Sequence, residues 1–291
     1  MKLLIVGANG QLGKCLQDRV ADSVFFEATA CSSQALDIRC LKSVRDKIGA
    51  ITPDAVVNAA AYTAVDKAED DSESAYSVNH LGVKNLAEVC EELSLPLVHI
   101  STDYVFDGQA NRPYLPDSPT APIGVYGKSK LEGEKAASAA LTSLVIIRTA
   151  WVYSEYGNNF VKTMLRLAES RDEVSVVGDQ LGCPTYAGNI ASIILTVCKA
   201  IFDGKCVWGT YHYVDAPEMT WADFSMLVFS AAAKAGLINK DMRVKAISSE
   251  EYPTKADRPA YSVLDTSSFQ QEFGVNQAKV DASLAYVLGR I

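Results

Sequence analysis

In the first half of the chain, short apolar runs alternate with longer amphipathic stretches. Lys2–Val6 is almost wholly apolar and stops at Gly7, the pattern of a strand buried on both faces. Gln11–Val20 repeats its apolar residues at helical spacing. Val24–Ala30 predicts a second strand and Leu41–Ile48 a second helix. Asp54–Ala60, behind Pro53, predicts a short third strand. Ser72–Leu93 predicts one long amphipathic helix that stops before Pro96, and Leu97–Ser101 a fourth strand. Strands alternating with helices predict βαβ units and a parallel sheet.

Asp103–Gly124 breaks this rhythm. It holds Pro113, Pro116, Pro119 and Pro122 and therefore predicts a loop. A helix over Tyr126–Ala140 and a strand over Leu144–Thr149 follow. Beyond them the pattern is less regular: helices over Phe160–Ala168, Ile190–Ile201 and Trp221–Ala235, the last capped by Thr220, and a strand over Val174–Val177. The expected fold class is α/β, a doubly wound parallel sheet with a smaller C-terminal domain. The boundary is placed near residue 155, giving units of 1–155 and 156–291, with elements at about 174–200 returning to the first unit.

Composition narrows the function classes. The chain has 291 residues, 48% hydrophobic and 21% charged, as in ordinary globular proteins. The net charge is −8 and no basic run stands out, so no nucleic-acid partner is expected. Seven cysteines, an odd number, occur with no C-x-x-C pair and no histidine cluster, which argues against a disulfide framework and predicts no metal site. His80, His99 and His212 are scattered, and His99 lies in an apolar strand as a core residue would. Reduced thiols suit a cytoplasmic protein. The apolar start is too short for a signal-peptide core, and no segment is long enough to span a bilayer, so no membrane partner is expected.

Three motifs carry chemistry. Gly7-Ala8-Asn9-Gly10-Gln11-Leu12-Gly13 joins the first strand to the first helix. Its glycines, spaced i, i+3, i+6, allow a tight turn and close approach of a diphosphate to a helix N-terminus, the Rossmann-like arrangement. Asn58-Ala59-Ala60-Ala61 ends the third strand, where ligands of doubly wound sheets lie and where small residues leave room for one. Ser101-Thr102-Asp103 ends the fourth strand and brings a hydroxyl to the same crevice as the helix that carries Tyr126 and Lys130. Tyr and Lys four residues apart share a helix face. An ammonium beside a phenol lowers the phenol pKa and makes it a usable acid near neutrality. Each motif also has a bland reading: a plain βα turn, packing alanines, a strand-end cap, a chance spacing.

Together these residues resemble the extended short-chain dehydrogenase/reductase family. NAAAYTAVDKA (58–68), STDYVFDG (101–108), VYGKSKLEGE (125–134), RTAWVY (148–153), NNFVKTMLRLA (158–168), GDQLGCPT (178–185) and Arg258-Pro259 narrow the likeness to its branch acting on dTDP-linked ketosugars. The matching segments run from residue 1 to about 266. The resemblance implies a nicotinamide-dependent reduction of a sugar ketone, with a dinucleotide-binding first unit and a mainly substrate-binding second unit. Tyr126 is the implied catalytic acid. Lys130 is implied to bind the nicotinamide ribose and to depress the Tyr126 pKa, with Thr102 as the hydroxyl partner. Cofactor contacts fall on Gly7, Gly10, Gln11, Leu12, Gly13, Asp37, Ile38, Ala60, Ala61, Tyr62 and Thr63, besides Tyr126 and Lys130. Substrate contacts fall on Thr102, Asp103, Trp151 and Arg258, with Arg258 directed at the nucleotide diphosphate or at a neighbouring acid.

Departures limit the likeness. Lys14-Cys15 and Gly188-Asn189-Ile190-Ala191 stand where some relatives carry acidic residues associated with a metal at a dimer interface. A homodimer therefore stays open, without the metal. Residues 28–36 hold no acid to take a ribose 2′-hydroxyl and no arginine for a 2′-phosphate, although Arg39 is near. Both NADPH and NADH are expected to serve, with a weak preference for NADPH. The rivals are a reductase or epimerase of another nucleotide sugar, and a non-enzymatic relative such as the regulatory subunit of methionine adenosyltransferase.

Overall fold

The computed structural model describes all 291 residues. The first half contains β1 (Lys2–Val6), α1 (Gln11–Ala21), β2 (Glu27–Cys31), α2 (Leu41–Ile51), β3 (Ala55–Asn58), α3 (Val65–Ala68), α4 (Ser72–Tyr76), α5 (Val83–Glu92), β4 (Leu97–Thr102), α6 (Val125–Ala140) and β5 (Leu144–Thr149). The second half contains β6 (Val152–Tyr153), α7 (Phe160–Ser170), β7 (Glu173–Val177), β8 (Leu181–Gly182), β9 (Thr185–Tyr186), α8 (Ala187–Phe202), β10 (Gly209–His212), β11 (Met219–Thr220), α9 (Trp221–Lys234), β12 (Arg243–Ile247), α10 (Ser267–Phe273) and α11 (Val280–Leu288).

The main sheet is six-stranded and parallel throughout, in the order β2-β1-β3-β4-β5-β10. From β1 the chain steps to β2 on one side and then to β3 on the other. That reversal opens a crevice beyond the carboxyl ends of β1 and β3. Neighbouring residues of β1 feed opposite faces. Leu3 and Ile5 pack towards Leu16 of α1 and Ile190 and Ile194 of α8, while Leu4 and Val6 pack towards Val44 of α2 and Leu86 of α5. The run is apolar at every inner position because both faces are covered. Each such aliphatic side chain contributes about 1.5–3 kcal/mol on burial.

The second half builds three two-stranded sheets, β6 with β9, β7 with β12 and β8 with β11. Glu173–Val177 thus pairs in parallel with Arg243–Ile247 rather than entering the main sheet. Its first four residues alternate exposed and buried, which suits a sheet covered on one face only. The strand that extends the main sheet is Gly209–His212, beside β5 and outside the expected 174–200 window; within that window, α8 packs on α1.

Two other expectations are corrected. The second strand starts at Glu27 and not at Val24, because the Ser23 hydroxyl accepts the N–H groups of Phe25 and Phe26 and turns the chain there. The helix expected over Ser72–Leu93 is interrupted by a π turn at Ser77–Gly82. Gly133 of α6 lies against this turn so closely that a Cβ on it would sit 2.0 Å from the Asn79 carbonyl oxygen. The widened turn carries Asn79 inward, fully buried, towards the loop after β3.

Candidate active site

Gly7 leaves β1 with φ +91°, and a Cβ there would lie 2.6 Å from the Ala60 nitrogen. Gly13 packs against the same turn, its hypothetical Cβ 2.1 Å from the Gly7 carbonyl oxygen. Both glycines are therefore demanded by backbone packing alone. Gly10 is different: it is exposed, and a Cβ there would meet nothing closer than 3.5 Å. It stands at the N-cap of α1 without any side-chain cap, so the first-turn N–H groups of Gln11, Leu12 and Gly13 have no partner within the helix. An uncapped helix N-terminus at an open crevice fits a dinucleotide diphosphate.

Across the crevice, Ala60, Ala61, Tyr62 and Thr63 follow β3. The Ala60 N–H donates to Asn58 Oδ1 at 3.1 Å, and the Asn58 amide bonds the buried His99 ring at 3.0 Å. Asn79 accepts the Tyr62 N–H at 2.8 Å, donates to the Tyr62 carbonyl at 3.0 Å and donates to Ser129 Oγ on α6 at 3.0 Å. Asn79 thus ties the loop to the helix that bears Tyr126. Its place inside one amphipathic pattern hid it from the sequence reading. Asp37 takes Arg39 through two hydrogen bonds at 2.8 and 2.9 Å, and Ile38 is buried beside Gly82.

Thr102, Asp103, Tyr126 and Lys130 come together where β4 ends and α6 begins. The Thr102 hydroxyl donates to Asp103 Oδ1 at 2.9 Å and accepts the Tyr104 N–H. It also lies near enough to the Tyr126 phenol to favour its ionised form. Burial raises Asp103 to about 6, against the lowering pull of Thr102 and Ser262. Burial also pushes the Tyr126 phenol above its ordinary value, and Thr102 opposes the rise. On balance the Tyr126 phenol lies above its ordinary value, not below it as expected, because desolvation dominates, and the Lys130 ammonium donates to the Ile100 carbonyl at 2.6 Å. Lys130 is itself lowered to about 8 by burial, with Glu134 pulling the other way. The start of α6 is capped from a distance, its Val125 N–H donating to Glu69 Oε1 at 2.8 Å. Glu69 thus serves this helix, and Asp71 alone of its acidic run caps α4.

The second half closes the site from two sides. Gln11 Oε1 accepts the Ser154 hydroxyl and the Asn159 amide, both at 2.9 Å, so the glycine turn is bonded to the start of α7. On the other side Asp66 accepts the Ala256 N–H at 3.2 Å and the Arg258 guanidinium at 2.9 Å, and Arg258 lies near enough to Tyr104 to oppose the burial-driven rise of its phenol. The Asp66 carboxylate is thus the neighbouring acid, one of the two targets expected for Arg258. Tyr104 packs edge-on against Tyr126, with ring centroids 5.4 Å apart. Trp151 is half-buried two residues beyond β5, at the same sheet edge as Thr102, and stacks on Trp221. Asp66, Gln11 as a side-chain bridge, and Trp221 were invisible in sequence because their partners lie far along the chain.

Comparisons with known proteins agree with this geometry. The dTDP-4-dehydrorhamnose reductase of Aggregatibacter actinomycetemcomitans is 44% identical over 275 residues, which make up 94% of this chain and 94% of that protein. The crystal structure of dTDP-4-dehydrorhamnose reductase from Bacillus anthracis str. Ames in complex with NADP superposes with a TM-score of 0.92 at 34% identity, covering 100% of this chain and 99% of that one. The orthologous structure from Clostridium acetobutylicum ATCC 824 gives 0.91 at 38% identity, covering 99% of each chain. The family model described as the RmlD substrate binding domain matches residues 1–291. With the fold, the glycine turn and the Tyr126–Lys130 helix in place, the chain belongs to the RmlD substrate binding domain family.

Proposed function

We propose that this chain is an NADPH-dependent oxidoreductase that reduces the C4 ketone of dTDP-4-dehydro-β-L-rhamnose to give dTDP-L-rhamnose. The observation that carries the reading is the meeting of Thr102, Tyr126 and Lys130 beside a glycine turn with an uncapped helix N-terminus. Gly10, Gln11 and Leu12 hold the diphosphate through their backbone, Ala60–Thr63 flank the nicotinamide half, and Asp37 and Ile38 flank the adenine. The bound cofactor supplies a hydride to C4. Tyr126 gives its proton to the oxygen that becomes the C4 hydroxyl, and the Thr102 hydroxyl, turned from Asp103, donates a hydrogen bond to that oxygen as negative charge grows on it. The phenol is then reprotonated from solvent. Lys130, buried and positively charged below pH of about 8, favours the phenolate left behind and holds the cofactor ribose. Residues up to about 155 serve the cofactor, and most of the remainder serves the sugar nucleotide.

Cofactor selectivity is modest on this reading, because Asp37 already neutralises Arg39 and neither charge is free to select at the 2′ position. The test is to incubate the purified protein with NADPH and the dTDP-ketosugar and follow the nicotinamide absorbance. Oxidation that requires the ketosugar is the expected result. NADPH binding without ketosugar-dependent oxidation would overturn the reading.

A further inference from the structure

Trp151 has φ +48°, a backbone conformation that bulky L-residues rarely adopt and that persists only where neighbours over-determine it. Two neighbours do so. One face of its indole lies flat on Trp221, with ring centroids 3.4 Å apart and planes 3° from parallel. One edge lies on Gly182, where a Cβ would sit 2.4 Å from Trp151 Cε2 and 2.7 Å from Nε1.

Both supports belong to one small unit. Met219 pairs with Gly182 and Thr220 with Leu181 in the antiparallel ladder of β11 and β8. Trp221 is the next residue and opens α9. Its position is fixed by a capping box, in which Thr220 Oγ1 accepts the Asp223 N–H and Asp223 accepts the Thr220 N–H. Beneath Trp221 lie Phe160, with ring centroids 4.5 Å away, and then Phe224, which is fully buried. A rigid aromatic column thus runs from the core to Trp151 at the sheet edge that carries Thr102.

We propose that Trp221 is a positioning residue for the substrate: it holds the Trp151 indole as a fixed apolar wall against which a 6-deoxy ketosugar linked to a nucleoside diphosphate packs. The apolar wall suits the methyl-bearing side of a 6-deoxyhexose better than a sugar with a C6 hydroxyl, which would bury an unpaired polar group. The inference rests on the reductase reading given above and places Trp151, at the sheet edge of Thr102, against the sugar. A stack that only filled the core would affect folding and nothing else.

The experiment compares Trp221→Leu and Trp221→Phe with the wild type, using NADPH and the ketosugar. Trp221→Leu should raise the ketosugar KM about tenfold or more, with kcat within about threefold and NADPH affinity unchanged. Trp221→Phe, which keeps an aromatic face, should recover most of the KM. The circular dichroism of the coupled indole pair should disappear in both variants. Gly182→Ala, which displaces the Trp151 indole from its other support, should raise the same KM. If Trp221→Leu does not fold, Trp221→Phe and Gly182→Ala decide the matter. The proposal is overturned by an unchanged ketosugar KM in the folded variants, or by KM, NADPH affinity and melting temperature all failing together. Calorimetric binding of dTDP-L-rhamnose, which needs no turnover, separates the two readings. No oxidation by the wild type sinks the reductase reading, whereas equal product affinity in wild type and Trp221→Leu sinks the role of Trp221.

Discussion

Burial drives the Tyr126 phenol and the Lys130 ammonium towards their neutral forms, the phenol upward and the ammonium down to about 8. A phenol held protonated is a proton donor in waiting, and it can act only if its anion is stabilised as the proton leaves. The ammonium is the cation on the same helix face. Below about pH 8 Lys130 is charged and can favour that anion, and above it the charge is lost. The kcat/KM for the ketosugar should therefore fall as pH rises through about 8, and a pH profile checks this. Lys130→Met should lose both this limb and much of the NADPH affinity. A limb that survives in the variant belongs to another group. Tyr126→Phe removes the donor and little else, because the cofactor turn stands on Gly7, Gly10 and Gly13. We expect turnover to drop at least about 10²-fold, within the general-acid range, with NADPH affinity intact. Wild-type turnover in Tyr126→Phe would remove this residue from the chemistry.

At the scale of elements, the close approach of α6 to the π turn is what brings Tyr126 and the Tyr62 loop together. Gly133→Ala would set a methyl 2.0 Å from the Asn79 carbonyl oxygen, and backbone cannot yield there cheaply. Such overpacking should cost about 1–3 kcal/mol, read by urea unfolding, and NADPH affinity should fall as Asn79 shifts its hold on Tyr62. Unchanged stability would mean that the two elements slide freely. This feature also marks where sequence stops being legible. The elements of the βαβ half could be read because a strand buried on both faces is apolar at nearly every position, as Leu3–Val6 is. The π turn could not, since it adds one residue to a turn without disturbing an amphipathic pattern. Glu173–Val177 announced a strand, and its one-sided burial contained the hint that it lies outside the central sheet. Gly209–His212, a short edge strand with one apolar side chain in four, and the two-residue strands β6, β8, β9 and β11 are too short for any period to show.

Across the whole molecule the two halves are joined at both ends of the crevice. Gln11 meets Ser154 and Asn159 on the cofactor side, while Asp66 meets Ala256 and Arg258 on the other. The site residues with local motifs were legible, but these bonds join residues about 140 to 190 positions apart and depend on the tertiary fold alone. Arg258 is the most consequential of them. Its guanidinium pairs with Asp66, just past the Ala60–Thr63 loop, and lies near enough to Tyr104, which packs on Tyr126, to pull down that phenol's pKa. Its ion pair with Asp66 is partly open to solvent, with side-chain exposures of 28% and 45%. A pair so exposed is worth about 0–1 kcal/mol to stability. If its purpose were only stability, Arg258→Ala would be nearly silent in every assay. If it sets the sugar-side wall, Arg258→Ala should leave the melting temperature and NADPH affinity almost unchanged and raise the ketosugar KM about tenfold or more. Thermal melts run beside ketosugar kinetics distinguish these outcomes. A stable Arg258→Ala protein with wild-type KM would place the residue outside the site and leave Asp66 as an ordinary surface anchor for the 254–260 loop.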